Sequence, residues 1–241
     1  MFSRTARYYD QIYSFKNYAE EAAKIRDVIR REHPAAQSIL DIACGTAEHA
    51  KLLTPEFSVD GIDLEPEFIE IARGKVPAGT FSIADMRRFQ LGKKYDVVQC
   101  LFSSIGYITR GEEVVQALEC FAQHVAEGGI ILVEPWFTPD FWRAGTLHMQ
   151  PVDLPKLKIC RMSVSGRRGN LSLIPFHYLI ATPDGVQYVQ EDHELALYTV
   201  EEMLGFFERA RLKVKHDPEG ISGRGLYVAK VEQAFSLQPG L

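Results

Sequence analysis

"LDIACGTAEHA", from Leu40 to Ala50, decides the fold. An apolar run ends in an acid, a small residue and a glycine, then turns helical, which is how a nucleotide-binding sheet opens. A pyrophosphate needs three spaced glycines, so that phosphate can approach backbone N–H groups closely. Here those positions read Ala43-Cys44-Gly45-Thr46-Ala47-Glu48, so two of the three glycines are missing. Glu48 also brings a negative charge into the first helical turn, which opposes phosphate. A nicotinamide or flavin dinucleotide is disfavoured.

The flanking chain repeats the pattern. Strands are expected at "QSILDIA", "FSVDGID", "GTFSIAD", "YDVVQCLF" and "IILVEPW". Helices are expected at "YAEEAAKIRDVIRREH", "TAEHAKLLT", "PEFIEIARGK" and "EEVVQALECFAQHVAEGG", the last closed by Gly128 and Gly129. Strands alternating with helices, with continuous apolar strands, mean an α/β doubly wound, mostly parallel sheet. The rhythm then changes. From Pro155 to Thr199 there are three strand-like runs separated by "GRRGN" and "TPDG", read as an antiparallel β insertion. A helix, "TVEEMLGFFERARL", follows, with Thr199 and Glu202 spaced as a capping box. "KVKHDPE" and "LYVAKV" read as a closing hairpin around "GISGRG".

Ligands of such sheets bind beyond the carboxyl ends of the strands. Acids stand at three successive ends: Asp41, Asp63 and Asp85. Asp63 is placed to accept from both ribose hydroxyls, and Asp85 from an adenine amine while the Met86 amide meets a ring nitrogen. Asp41 reads as a partner for loop amides. A turn without phosphate, a ribose acid and an adenine acid describe S-adenosylmethionine, with its amino-acid end near Ala43 and Gly45.

Composition sets the bounds. Apolar residues are 46% and charged residues 24%, and the formal net charge is −5. General binding to nucleic acid is disfavoured, and Arg167 and Arg168 read as a solvated turn. The four cysteines form no CxxC pair, so no metal site is expected; buried, reduced thiols are. The N-terminal stretch has no apolar signal region, and no run reaches the ~20 apolar residues of a membrane span. A soluble, cytoplasmic protein is expected.

"YYDQIY", "LDIACGTAEH", "GIDLEPEFIEIAR", "IADMRRFQLGKKYDVVQCLFSSIGYI", "FAQHVAEGGIILVEPWF" and "GISGRGLYV" together carry a more specific likeness. The chain resembles a class I S-adenosylmethionine-dependent methyltransferase, in the group of N,N-dimethyltransferases of dTDP-linked amino sugars of the desosamine and mycaminose type. The resemblance covers most of the chain and is densest over residues 38–137 and in the C-terminal hairpin. It implies a seven-stranded Rossmann-like sheet, a β insertion between strand five and the last helix, and methyl transfer to the amine of a nucleotide-linked sugar. It leaves S-adenosylhomocysteine as the product, and a dimethylamine where transfer occurs twice. The other reading is N- or O-methylation of another small metabolite.

The resemblance also distributes roles. It places Tyr9, Ala43, Asp63, Asp85, Met86 and Leu101 at the cofactor, beside Gly45 of the turn and Leu64, the residue after Asp63, which are further cofactor candidates. It places Tyr18, Trp136, Arg161 and Arg224 toward the sugar nucleotide, and Tyr107 beside the acceptor amine as the candidate catalytic residue; Phe137, next to Trp136, and His177, in the β insertion and facing either the acceptor or solvent, are further substrate-binding candidates. Phe137 stands where that group has a second tryptophan, Ala47 where it commonly has glycine, and an upstream acceptor-contacting tyrosine of some relatives has no counterpart. One domain spans 1–241: an N-terminal lid and helix region over 1–37, a cofactor core over 38–147 and 199–232, and the insertion over 148–198, for acceptor binding or dimerisation. A homodimer is the expected assembly.

The chemistry asks for little beyond placement. Aligning amine, methyl carbon and sulfur supplies up to roughly 7–11 kcal/mol. The "SGRG" turn presents Arg224, whose guanidinium suits bidentate contact with a diphosphate. His124 is expected as a surface or helix-end histidine, and Tyr9, Tyr13 and Tyr18 as an aromatic lid.

Overall fold

The computed structural model describes residues 4–231. Residues 1–3 and 232–241, which fall within the single domain expected above, lie outside the described residues. The chain folds as a seven-stranded, mostly parallel α/β sheet with a second, antiparallel sheet.

A short helix α1 (Tyr9–Ile12) precedes α2 (Tyr18–Glu32). Asn17 caps α2 by accepting from the Glu20 amide, and Ala22, Ile25, Val28 and Ile29 form its buried stripe. The parallel part follows as β1 (Ser38–Ile42), α3 (Glu48–Leu53), β2 (Ser58–Asp63), α4 (Pro66–Lys75), β3 (Phe81–Ile83), β4 (Tyr95–Cys100), α5 (Gly111–His124) and β5 (Val125–Val133). Proline at the first turn of α4 fits because its missing N–H has no helical partner there. After the second sheet come α6 (Val200–Arg209), started by the Thr199/Glu202 capping box, then β11 (Leu212–Asp217) and β12 (Leu226–Val231).

The first sheet has the strand order β11-β12-β5-β4-β1-β2-β3. β12 pairs antiparallel to β5 and to β11, while β1 to β5 are parallel. One face is covered by α2, α3 and α4 through Ile25, Leu53 and Ile69, the other by α5 and α6 through Leu118, Phe121 and Phe207. Burial of such apolar side chains contributes about 1.5–3 kcal/mol each, which is what holds helices to both faces.

Two expectations need correction. Gly128 and Gly129 do not close α5. The helix stops at His124, where the ring accepts from the Leu91 amide and bonds the Cys120 carbonyl, and Val125 is already extended and paired with Tyr95. His124 is thus the helix-end histidine expected, buried rather than on the surface. The insertion also holds more strands than three: β6 (Leu147–Leu154), β7 (Leu157–Val164), β8 (Gly166–Arg168), β9 (Leu171–Thr182) and β10 (Gly185–Ala196). Its order is β10-β9-β7-β6, with β8 on β9. β6 carries Pro151, which hides a strand in sequence and is tolerated because β6 is an edge strand. The inner face of this sheet, with Ile159, Tyr178 and Ile180, packs on Ile12 and Tyr13, and so roofs the strand ends of the first sheet.

Candidate active site

The turn after β1 is built from left-handed backbone: Ala43, Gly45 and Ala47 have φ of 54°, 55° and 64°. Only Gly45 adopts this without cost. Asp63, at the end of β2, locks the turn. Its Oδ2 accepts from the Gly45 amide at 2.9 Å and its Oδ1 from the Glu65 amide at 2.9 Å. An ionised carboxylate offers about four acceptor sites, so two remain for a diol. Burial raises the Asp63 carboxyl above its ordinary value, against the amides that stabilise its charge.

Asp41 meets a different partner from the one expected. It accepts from the Gln99 side chain at 3.1 Å rather than from loop amides, and burial pushes it up to about 6. Asp85 is gripped by Arg87, whose Nε lies at 3.0 Å and Nη2 at 2.6 Å. Hydrogen bonding from that guanidinium keeps Asp85 below the usual carboxylate range, so it stays charged.

A cavity of about 500 Å³ opens over these strand ends. Tyr9, Ala43, Gly45, Asp63, Leu64, Asp85 and Met86 line one part, and Tyr107, Trp136 and Arg224 another. Leu101 and Tyr18 line an adjoining recess of about 50 Å³ against Ala43 and Gly45. Three candidates stand off the cavity wall. Phe137 stacks on Phe141 and backs Arg224. The Arg161 guanidinium is held between the rings of Tyr13 and Phe176, at 5.0 and 4.6 Å. His177 does not reach the cavity at all. The strand pleat turns Tyr178 inward and His177 outward, where its Nδ1 meets the Tyr188 hydroxyl at 2.6 Å.

Arg224 is not a solvated hairpin tip. Its guanidinium lies over Phe102, Trp136 and Phe137 at 5.3, 5.6 and 5.4 Å, and donates to the Ser103 hydroxyl at 3.1 Å. Among the described residues no carboxylate is within ion-pair distance of it. Gly225, at φ +88°, lets the chain turn here, and a Cβ would sit 2.6 Å from His216 Nε2. Trp136 is fixed by donating its Nε1–H to Ser172, which in turn donates to the Leu195 carbonyl.

Sequence reasoning missed several lining residues: Lys16, Glu21, Phe102, Phe176 and His193. Lys16 stands 3.8 Å from the centre of the Phe102 ring and pairs with Glu21 at 2.7 Å. Burial raises Glu21, but hydrogen bonds from His49 and Lys16 outweigh it and hold the acid at about 2. His193 touches Tyr107, with Nδ1 and the hydroxyl 2.6 Å apart. Phe102 lies in the "LFSSIGYI" stretch quoted above, though only its motif neighbours Leu101 and Tyr107 were singled out. Lys16, Glu21, Phe176 and His193 lie in none of the stretches that carry the resemblance, and contacts such as Lys16 with Phe102, Glu21 with His49 and His193 with Tyr107 cross long stretches of chain. Among the described residues no cluster of His, Cys, Asp and Glu is able to hold a metal, and no helix is long and apolar enough to cross a membrane.

Residues 39–129 match the family described as a methyltransferase domain. The chain is 38% identical to dTDP-3-amino-3,6-dideoxy-alpha-D-glucopyranose N,N-dimethyltransferase of Streptomyces fradiae, over 92% of this chain and 89% of that one. It superposes on the crystal structure of Streptomyces venezuelae DesVI with a TM-score of 0.88 and 36% identity, covering 94% and 98% of the two chains. It is also similar to the S-adenosylmethionine-bound CalS10, an amino pentose methyltransferase from Micromonospora echinaspora involved in calicheamicin biosynthesis, with a TM-score of 0.80 and 30% identity over 89% and 91% of the chains.

Proposed function

The chain belongs to the S-adenosylmethionine-dependent N,N-dimethyltransferases of dTDP-linked amino sugars, and from that premise we propose that it methylates the amine of a nucleotide-linked amino deoxysugar in the cavity roofed by the antiparallel sheet. The observation that carries the acceptor side is Arg224. A guanidinium over three aromatic rings, with no carboxylate within ion-pair distance among the described residues, opens into the same cavity as Asp63. That is an arrangement for a diphosphate, which takes a planar fork of donors.

The residues present fit S-adenosylmethionine. Asp63 retains acceptor capacity for a ribose diol, the left-handed turn at Ala43 and Gly45 exposes backbone to an amino-acid end, and the cavity size suits a cofactor with an acceptor. Asp85, Met86 and Leu64 flank the adenosine side, Leu101 lies by the first turn, and Tyr9 closes it, packed edge-on to Phe68 at 4.9 Å. When bound, the cofactor supplies a sulfonium methyl that an amine takes by direct displacement. The protein contributes placement and dryness. Tyr107 stands where it meets the amine, Trp136 and Arg224 hold the sugar nucleotide, and α1 with Tyr9 and Tyr13 excludes water. An alkylammonium enters mostly protonated and sheds its proton more readily as the cavity desolvates it.

One face of the second sheet exposes Leu147 and Met149 of β6, Met162 of β7, Leu179 of β9 and Val186 of β10, an apolar face of the kind that a partner chain covers. We assign it to a second copy of the chain, a homodimer that sedimentation at micromolar concentration detects. A cytosolic donor and a nucleotide-linked acceptor support a cytoplasmic reaction, in the making of dimethylamino sugars for antibiotics. The deciding assay offers S-adenosylmethionine with dTDP-amino sugars and, in parallel, a phenol. Faster turnover of an amino sugar is expected. A phenol turning over far faster sinks the sugar acceptor, and calorimetry showing no binding of S-adenosylhomocysteine sinks the whole reading.

A further inference from the structure

His193 is a buried histidine in the cavity to which the reading above assigns no role. It comes from β10 of the antiparallel sheet, whereas Tyr107 ends the 3-10 turn Ser104–Tyr107 that follows β4. The two are 86 residues apart in the chain, yet the Tyr107 hydroxyl is 2.6 Å from His193 Nδ1. The edge-on ring of Phe176, 5.1 Å away, fixes the plane of the imidazole.

The direction of this bond depends on which imidazole nitrogen carries the proton. The charge states fix what the pair offers: a phenol O–H and one bare ring nitrogen. Burial, helped by the nearby Arg161 charge, holds His193 down at about 3, so the ring is neutral. Burial raises Tyr107, so the phenol keeps its proton.

We propose that His193 is a positioning residue: by accepting the Tyr107 proton through Nδ1, it leaves the Tyr107 oxygen as a hydrogen-bond acceptor toward the cavity, where it holds an N–H of the acceptor amine. This rests on the sugar N-methyltransferase reading above. A neutral amine has one lone pair. With an N–H engaged by Tyr107, that lone pair is left to form the N–C bond as the C–S bond breaks and its electrons leave on sulfur. A tyrosine that donated instead would cap the lone pair and suppress attack. The new ammonium keeps its proton until it reaches water, because an alkylammonium near roughly 10 does not protonate an imidazole held at about 3. Primary and secondary amines both offer an N–H. A neutral tertiary amine offers none, so methylation halts at the dimethylamine.

Two measurements test this. Nitrogen-15 NMR of histidine-labelled enzyme, loaded with S-adenosylhomocysteine, is expected to show His193 Nδ1 without a proton and its signal displaced in Tyr107→Phe. A proton on Nδ1 overturns the proposal. In turnover, His193→Leu and Tyr107→Phe each lower kcat about tenfold, the worth of one hydrogen bond, with the affinity for S-adenosylhomocysteine unchanged. The double variant falls no further, and His193→Gln, whose amide oxygen also accepts, recovers most of the rate. Additive losses, a silent rescue, or a loss carried by cofactor affinity overturn it. If His193→Leu fails to fold, the NMR signal, His193→Gln and Tyr107→Phe decide. A wild-type enzyme idle on every amino-sugar nucleotide sinks the function instead, and the NMR still reads the bond.

Discussion

The two walls of the cavity are built in different ways. The cofactor wall is backbone: the left-handed turn at Ala43 and Gly45, tied by Asp63 to amides at the ends of neighbouring strands. The acceptor wall is side chain on side chain across long gaps: Tyr107 with His193, Trp136 with Ser172, Arg224 with Ser103 and three rings. Backbone strain marks where the walls meet. Ala43, Ala47, Phe102 and Ser103 all have φ between 50° and 64°, in the turns after β1 and β4. Such residues cost about 1–3 kcal/mol each and persist only where the surroundings over-determine them. A backbone wall keeps one ligand constant, whereas a side-chain wall is free to change its substrate.

Substitutions can break that division. Asp63→Ala removes two charge-assisted amide bonds and the ribose acceptor, so affinity for S-adenosylhomocysteine should fall about a thousandfold by calorimetry. The KM for the acceptor should change far less; an equal loss in both would erase the distinction between the walls. Asp41→Asn probes the same wall through pH. The native acid sits at about 6 against about 3.9 unfolded. Charging it therefore costs the folded state nothing below the unfolded value, increasingly between pH 4 and 6, and a constant amount above. Two units at 1.36 kcal/mol give about 3 kcal/mol. The asparagine keeps an acceptor for Gln99, so urea melts should find it more stable than the native chain at pH 8 and hardly so at pH 4.

The acceptor wall has its own test. Arg224→Ala should raise the KM of a nucleotide sugar about thirtyfold, with a weaker salt dependence and unchanged cofactor affinity. A variant equally good with the nucleotide sugar would remove the diphosphate from the argument. The smallest effect belongs to Thr199→Ala. Loss of the capping box should cost about 1 kcal/mol in thermal or urea unfolding and leave both ligand affinities alone, sharpening the contrast between fold and site.

Much of the fold was readable because its causes are local. Apolar runs with a period of two or 3.6, Pro66 at a helix start and the Thr199/Glu202 box all act within a few residues. Where a distant contact decided, the reading went astray. α5 ended at His124 because the ring and Val125 found partners on Leu91 and Tyr95, and β6 was hidden by a proline that only an edge position tolerates. The inward or outward sense of the second sheet was equally hidden, which is why His177 was chosen and His193 was not.

By itself the sequence determined the donor. "LDIACGTAEHA" lacks the glycines of a pyrophosphate cradle, and acids at successive strand ends are neighbours because parallel strands are neighbours. The resemblance named Trp136, Arg224 and Tyr107 for the acceptor, but only tertiary structure joined them to the rest of that wall. Lys16, Phe102, Trp136, His193 and Arg224 belong to five separate segments, and only the closing of one sheet over the ends of the other turns them into a single surface.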